Sequence, residues 1–298
     1  MGHVLQDTII RAFDGSLADA EGLLAVERAT FDELPYSAEQ VRAMLTGGAH
    51  CAWLALGKGR VVGFVAAFPI TGLHGTCWDI DLLAVDPGWT GRGLGTGLIQ
   101  AAATHGTVVA CQARAVVAAD NFASARAFAR AGFRRAQACQ LLMQRLQGRS
   151  LHPWTTLGVS VHEATSIAEA LPWLPEESIS LASDQPVSPQ EWPERGRLTF
   201  LLAECYGRPA GYAELVEVQT LLYRGVWIES LAASDQMVQA ALVHKAVNQA
   251  ITAGLDEISM MVPERDRSLQ DTLLATGFRS LGDFDWFTSA LPLPALTS

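Results

Sequence analysis

Apolar and polar positions change period several times along the chain, and each change marks an element. Residues 7–13 alternate as a strand. Residues 16–30 and 38–46 place apolar side chains at helical spacing, and residues 50–57, 60–70 and 75–85 return to strand-like runs. A helix over 93–105, a strand over 108–118, a helix over 122–131 and a strand over 133–145 follow. Asn121 is placed to cap the helix after it, and Gly132 stands where that helix ends. The order predicts an α/β sandwich round a mixed, mostly antiparallel sheet.

The punctuation then recurs. Gly59-Arg60 with Gly63-Phe64 returns as Gly207-Arg208 with Gly211-Tyr212, Trp78 as Trp227, and Gly132-Phe133-Arg134 as Gly277-Phe278-Arg279, at offsets of 148, 149 and 145. Three matches in one order predict a tandem duplication. The expected division is a first domain over 1–148, a linker over 149–158 within the stretch Leu146 to Gly158, and a second domain over 159–298.

A chain of 298 residues with 49% apolar content suits two globular domains, each with its own core. Two uncharged windows, 61–78 and 93–113, have the length of a membrane span. Pro69, His74, His105 and repeated glycines fit buried strands and a buried helix better, so no membrane contact is expected. The N-terminus lacks a basic segment followed by an apolar core, which makes a cytoplasmic protein the expectation. Five widely spaced cysteines without a CxxC pair read as reduced core residues, and His162-Glu163 is followed by Ser166 where a second histidine would stand; no metal site is assigned. Lys plus Arg against Asp plus Glu is 13 to 12 over residues 1–150 and 8 to 19 over 151–298, or +1 and −11. Such acidity excludes nucleic acid as the expected partner. It fits a solvated acidic surface and is also compatible with a cationic amine.

Chemistry concentrates in the run Val85 to Gly97, VDPGWTGRGLGTG. Glycines let the backbone approach a ligand closely, and the first N–H groups of the following helix lack partners within it, so the run reads as a pyrophosphate cradle. Arg92 adds a charged donor fork. A dinucleotide fingerprint would follow the first strand of its unit and precede an acidic residue by some 20 positions, where this chain reads Ala-Arg-Ala-Val-Val; a Walker loop would end in Gly-Lys-Ser or Gly-Lys-Thr, where this one has Gly95-Thr96-Gly97.

Combined with the Asn-capped segment NFASARAFARAGF at 121–133, the loop resembles the phosphate-binding motif of the GNAT superfamily of acetyl-coenzyme A-dependent N-acetyltransferases, over roughly residues 5 to 146. The resemblance implies two tandem GNAT-like domains, acetyl-CoA as donor, and direct attack by a primary amine of a small molecule or peptide. It implies that the backbone of Leu83, Ala84 and Val85 pairs with the pantetheine arm as an added strand. Thr90, Gly91, Arg92, Gly93, Leu94, Gly95 and Thr96 would hold the pyrophosphate, Asn121 would bond near the cofactor arm, and a main-chain N–H near Val85 would polarise the acyl carbonyl. Thr90 stands where the family usually has Gln or Arg. Phe128, counted with the cofactor-binding positions, stands where the family often has a tyrosine that protonates the thiolate.

Period-2 alternation places Asp79 and Asp81 on one face of their strand and Trp78, Ile80 and Leu82 on the other. Adjacent carboxylates raise one another's pKa, which suits a base; the resemblance implies an acidic residue four positions before Val85, so Asp81 is the first choice with Asp79 beside it. A charge pair facing solvent or an arginine is the structural alternative. The strand-five glutamate of some relatives is Val116 here. Tyr36, between the first two helices, would shape the acceptor pocket or carry a proton, in a region with Phe31 to Pro35 and His74. The second copy reads Ser234-Asp235-Gln236-Met237, without glycine and with a carboxylate where phosphate would sit, and so is expected to be degenerate. The rival to an enzyme is an acyl-CoA-binding sensor or partner-binding module with little or no catalysis. Oligomeric state is unreadable.

Overall fold

The computed structural model describes residues 3–5, 8–31, 36–47, 50–72, 75–108, 110, 112–151, 157–164, 169, 173 and 198–291. In chain order the elements of the first half are β1 (His3–Leu5), β2 (Thr8–Ala12), α1 (Leu17–Thr30), α2 (Ala38–Thr46), β3 (Cys51–Gly57), β4 (Arg60–Gly72), β5 (Gly75–Val85), α3 (Leu94–Gly106), β6 (Gln112–Ala118), α4 (Phe122–Arg130) and β7 (Arg134–Arg145). The second half has β8 (Val159–Glu163), β9 (Leu198–Cys205), β10 (Arg208–Gln219), β11 (Arg224–Ala233), α5 (Gln236–Thr252), β12 (Glu257–Pro263), α6 (Arg267–Ala275) and β13 (Arg279–Ala290). Asp32 to Pro35, His74, Cys111 and Ser166, which entered the sequence reading, lie outside the described residues. Among the described residues no helix is long and apolar enough to cross a membrane.

Both halves have the expected architecture, a mixed, mostly antiparallel sheet flanked by helices. Among the described residues the strands form one sheet in the order β1-β2-β3-β4-β5-β6-β13-β7-β12-β11-β10-β9-β8. Its only parallel pairs are β5 with β6 and β11 with β12. The last strand of each half is exchanged: β13 lies between β6 and β7, and β7 lies between β12 and β13. The cores follow. Phe287 and Leu291 belong to the apolar cluster under α3 and α4, while Leu142 and Leu146 belong to the cluster under α5 and α6.

On the opposite face the halves interlock again. Leu221, from the turn between β10 and β11, is fully buried among Leu23, Phe64, Leu82 and Ala84 beneath α1 and α2. Phe68 and Ile70 of β4 pack in turn with Leu202, Tyr212 and Val216 of β9 and β10.

Strand register refines the internal repeat. Gly63 pairs with Val85 and Gly211 with Ala233, both at an offset of 148, and the parallel ladders open with Cys77 and with Gly225. The counterpart of Trp227 is therefore Asp79, not Trp78; Trp78 aligns with Val226. The expected matching of the two tryptophans fails because they differ by one position in register, which in a strand means opposite faces.

The alternation expected along β5 is also interrupted. Val65 pairs with Leu83 but Ala67 with Ile80, so Asp81 and Leu82 together oppose the single residue Ala66 in a β-bulge. Trp78 and Ile80 face α3 and α4, whereas Leu82 and Ala84 face α1 and α2 with Ala66 and Phe64. Leu82 thus shares a face with the aspartates instead of opposing them.

Candidate active site

Three features converge beside β5. The first is a wedge: the ladder between β5 and β6 covers only Cys77 to Asp79, paired with Gln112 to Arg114, although β5 continues to Val85 and β6 to Ala118. Beyond Asp79 the backbones of Leu83, Ala84 and Val85 have β4 on one side and an opening on the other.

The second is the start of α3. A 3₁₀ turn, Pro87–Trp89, leads into Gly91 and Gly93, whose φ angles of 74° and 80° lie in the left-handed region. At either glycine nothing stands within 4 Å of where a Cβ would be. Gly93 is the N-cap of α3 and provides no side-chain cap. The other five described helices are all side-chain capped, by Ser16, Ser37, Asn121, Asp235 and Asp266. The first turn of α3 alone is left open, and its amides and dipole favour an anion. Gly95 points at Leu83 and Ala127, which sets this turn against the wedge and α4.

Other loop residues have settled partners. Trp89 is buried against Gly57, and the Arg92 guanidinium lies 4.5 Å from the centre of its ring. Thr90 is exposed and its hydroxyl donates to the Pro87 carbonyl at 3.1 Å. The Asn121 Oδ1 accepts from the Ser124 amide at 3.1 Å, so its side-chain amide keeps its donors for another partner. Phe128 is a core residue, packed against Phe133 at 5.2 Å and against Phe287 of the exchanged strand at 5.9 Å between ring centres.

The third feature is a cluster of carboxylates. Arg114 of β6 donates from Nε and Nη2 to both oxygens of Asp79 at 2.5 and 3.1 Å, and from Nη1 and Nη2 to both oxygens of Glu229 on β11, the latter at 3.0 Å. The Trp286 ring lies 4.9 Å from the guanidinium. Burial raises the Asp79 carboxyl, the Arg114 charge and bonds oppose that rise, and the Glu229 charge adds to it. The hydrogen bonds decide between these pulls. A guanidinium that donates to both oxygens of each carboxylate stabilises the two as anions.

Asp81 has no ion pair or hydrogen bond among the described residues. It is open to water within the cleft, yet protein encloses it closely enough that desolvation, followed by the Asp79 charge, raises it to about 7. The second half supplies the facing wall. Tyr223 accepts a 2.6 Å hydrogen bond from Trp227 Nε1, and burial followed by the charge of Asp81 holds its hydroxyl well above the usual tyrosine range. Tyr36 is half-buried against the same packing cluster as Leu221 and is raised by burial and by Asp256.

Arg114, Glu229 and Tyr223 escaped the sequence reading. Arg114 carried a legible signal, as the only charge in the strand QARAVVA, where a buried guanidinium requires a partner. Glu229 and Tyr223 carried none, because their place depends on how the halves interlock.

In the second half the ladder between β11 and β12 is equally short, Gly225 to Trp227 with Glu257 to Ser259, but the helix start is closed. Eight residues, 86–93, join β5 to α3, but only Ser234 and Asp235 join β11 to α5, and Asp235 caps that helix through the Val238 amide at 3.0 Å.

Residues 21–133 match the acetyltransferase (GNAT) family. No curated protein matches the chain. Among solved structures, a GCN5-related N-acetyltransferase from Sphaerobacter thermophilus is 17% identical with a TM-score of 0.59, covering 99% of each chain. A tandem GNAT protein from the clavulanic acid biosynthesis pathway is 16% identical with a TM-score of 0.55, covering 96% of this chain and 99% of the other. The open helix N-terminus and the wedge lie within the stretch that matches the GNAT family, and the chain as a whole shares the fold of the tandem GNAT protein.

Proposed function

We propose that the first half transfers an acetyl group from acetyl-CoA to a primary amine of a small molecule or peptide, by direct attack while both are bound. The observation that carries this reading is the start of α3, the single uncapped helix N-terminus among the described helices, open beside the wedge. Acetyl-CoA supplies an activated thioester. The amides from Gly91 to Thr96 and the α3 dipole suit its pyrophosphate, with Thr90 and Arg92 at the rim. The free backbone edge of Leu83, Ala84 and Val85 suits an amide-bearing arm, the side-chain amide of Asn121 is available to it, and Phe128 backs that side with apolar surface.

Asp81 is the base. An ammonium must lose a proton before its nitrogen can attack, and a carboxyl near 7 accepts that proton at neutral pH and releases it again. Asp79 is the fixed charge that keeps Asp81 poised, and Tyr36 borders the acceptor side. The second half, with Asp235 closing α5, contributes walls and not a second cofactor site.

The test is coenzyme A release with an amine panel, measured against pH on the full chain. Amine-dependent release that rises through about pH 7 and disappears in Asp81→Asn is expected. Phe128 favours a second reading, an acyl-CoA-binding module without turnover, because no hydroxyl stands at that position. Tight acetyl-CoA binding with the acetyl group intact after hours with every amine would replace the first reading by the second.

A further inference from the structure

Asp81 and Glu229 occupy the same place in the two halves. Gly63 with Val85 and Gly211 with Ala233 put the strands in register at an offset of 148, which carries Asp81 onto Glu229. Each lies in the bulge of its strand: the pairing skips Asp81 and Leu82 on β5, and on β11 it passes from Ser230 to Ile228 over Glu229. The fold therefore offers two equivalent carboxylates, one per half.

Their surroundings differ at the neighbouring pair of the parallel ladder. On β6 the partner of Asp79 is Arg114; on β12 the partner of Trp227 is Ser259. The guanidinium thus has no counterpart in the second half, and the one present reaches across to take Glu229. Arg114, Asp79 and Glu229 are 12%, 16% and 19% exposed, so the three charges meet largely out of water. With both carboxylates ionised they sum to one negative charge beside Asp81.

Resting on the assignment of Asp81 as the base, we propose that Glu229 and Arg114 are positioning residues through which the second half sets the proton affinity of the first half's active site. Arg114 holds the second half's bulge carboxylate as a fixed charge, which leaves Asp81 as the one member of the pair that exchanges a proton. The charge acting directly on Asp81 is Asp79 on β5, with Tyr223 of the β10–β11 turn facing it; Arg114 on β6 and Glu229 on β11 join through Asp79, and Glu257 of β12 lies behind Tyr223 with Arg145 beside Glu257. Tyr223 stays neutral at working pH and contributes no charge. Replacing Glu229 by glutamine changes the sum of the Asp79–Arg114–Glu229 cluster from minus one to zero, which makes Asp81 easier to ionise.

The experiment is a carboxyl ¹³C NMR titration of the full-length protein labelled at aspartate, with the Asp81 resonance assigned by its loss in Asp81→Asn. Glu229→Gln is expected to lower the Asp81 midpoint by on the order of one pH unit. Glu229→Asp, which keeps the charge, is expected to leave it near the wild-type value. A midpoint that does not move in Glu229→Gln overturns the proposal, as does an equal fall in both variants, which would make the effect one of packing. The readout needs neither acceptor nor turnover. An active Asp81→Asn enzyme would instead overturn the assignment of the base, whatever the titration shows.

Discussion

Replacing Phe287 by alanine is a perturbation in the second half that should destabilise the first. Phe287 lies on β13, pairs with Ala115 of β6 and Arg135 of β7, is 5% exposed and stacks on Phe128 inside the cluster beneath α3 and α4. Transfer of the ring to water accounts for about 1.5–3 kcal/mol. The space left among Phe128, Phe133 and the strands, with the lost ring pair, brings the cost to about 3–5 kcal/mol. Urea denaturation followed by tryptophan fluorescence should show one cooperative transition at lower urea with an unchanged slope, since each half is completed by a strand of the other. Acetyl-CoA affinity should fall in the same variant, because Phe128 anchors the helix that Asn121 caps. A loss below about 1 kcal/mol, or two separate transitions of which only one moves, would refute the interlocked core.

Gly93→Ala should cost about 1–2 kcal/mol for holding an alanine in the left-handed region, with no added clash, and should weaken acetyl-CoA binding by calorimetry. Asp235→Ala removes the cap of α5 and should cost about 1 kcal/mol in thermal unfolding while leaving acetyl-CoA affinity unchanged; a change would place a second cofactor site there. His50 is buried against Phe68 and burial lowers it to about 4, below its ordinary 6.5. The unfolded chain takes up that proton first, so stability should fall as pH drops from about 6.5 towards 4, by on the order of 3 kcal/mol, and His50→Gln should flatten this part of a urea-midpoint profile. Asp81 has the opposite sense. Its folded value lies above the unfolded one, so its contribution to stability declines as pH rises from about 4 to 7, and Asp81→Asn should be relatively more stable at pH 8 than at pH 4 in the same assay.

The elements of the first half were legible because their signals are local. The helix after Asn121 starts and stops where capping chemistry directs, and the glycine loop opens α3 one residue from its expected start. The strand over 108–118 begins only at Gln112, and residues 60–70 extend to Gly72. What stayed hidden was relational. A strand such as β7 carries an apolar pattern that any neighbour can satisfy, so nothing in Arg134 to Arg145 says that it pairs with β12 and β13 instead of β6. The bulge at Asp81 was equally silent, because a run of period 2 looks unbroken until its partner is known.

The exchanged strands also give the second half a structural role that needs no glycine loop. Removing residues after Gly148 would strip β13 from between β6 and β7, leave the backbone groups of Gln112 to Ala118 unpaired along one edge, and uncover Phe128 where Phe287 now lies. It would also withdraw Leu221 from beneath α1 and α2 and leave Arg114 one carboxylate short. None of these contributions requires a glycine loop. Selection for the first site therefore constrains the sheet, the β10–β11 turn and Glu229, while leaving the link between β11 and α5 free to shorten to Ser234 and Asp235. An open helix start and a capped one on the same duplicated scaffold are what such a division of constraints produces.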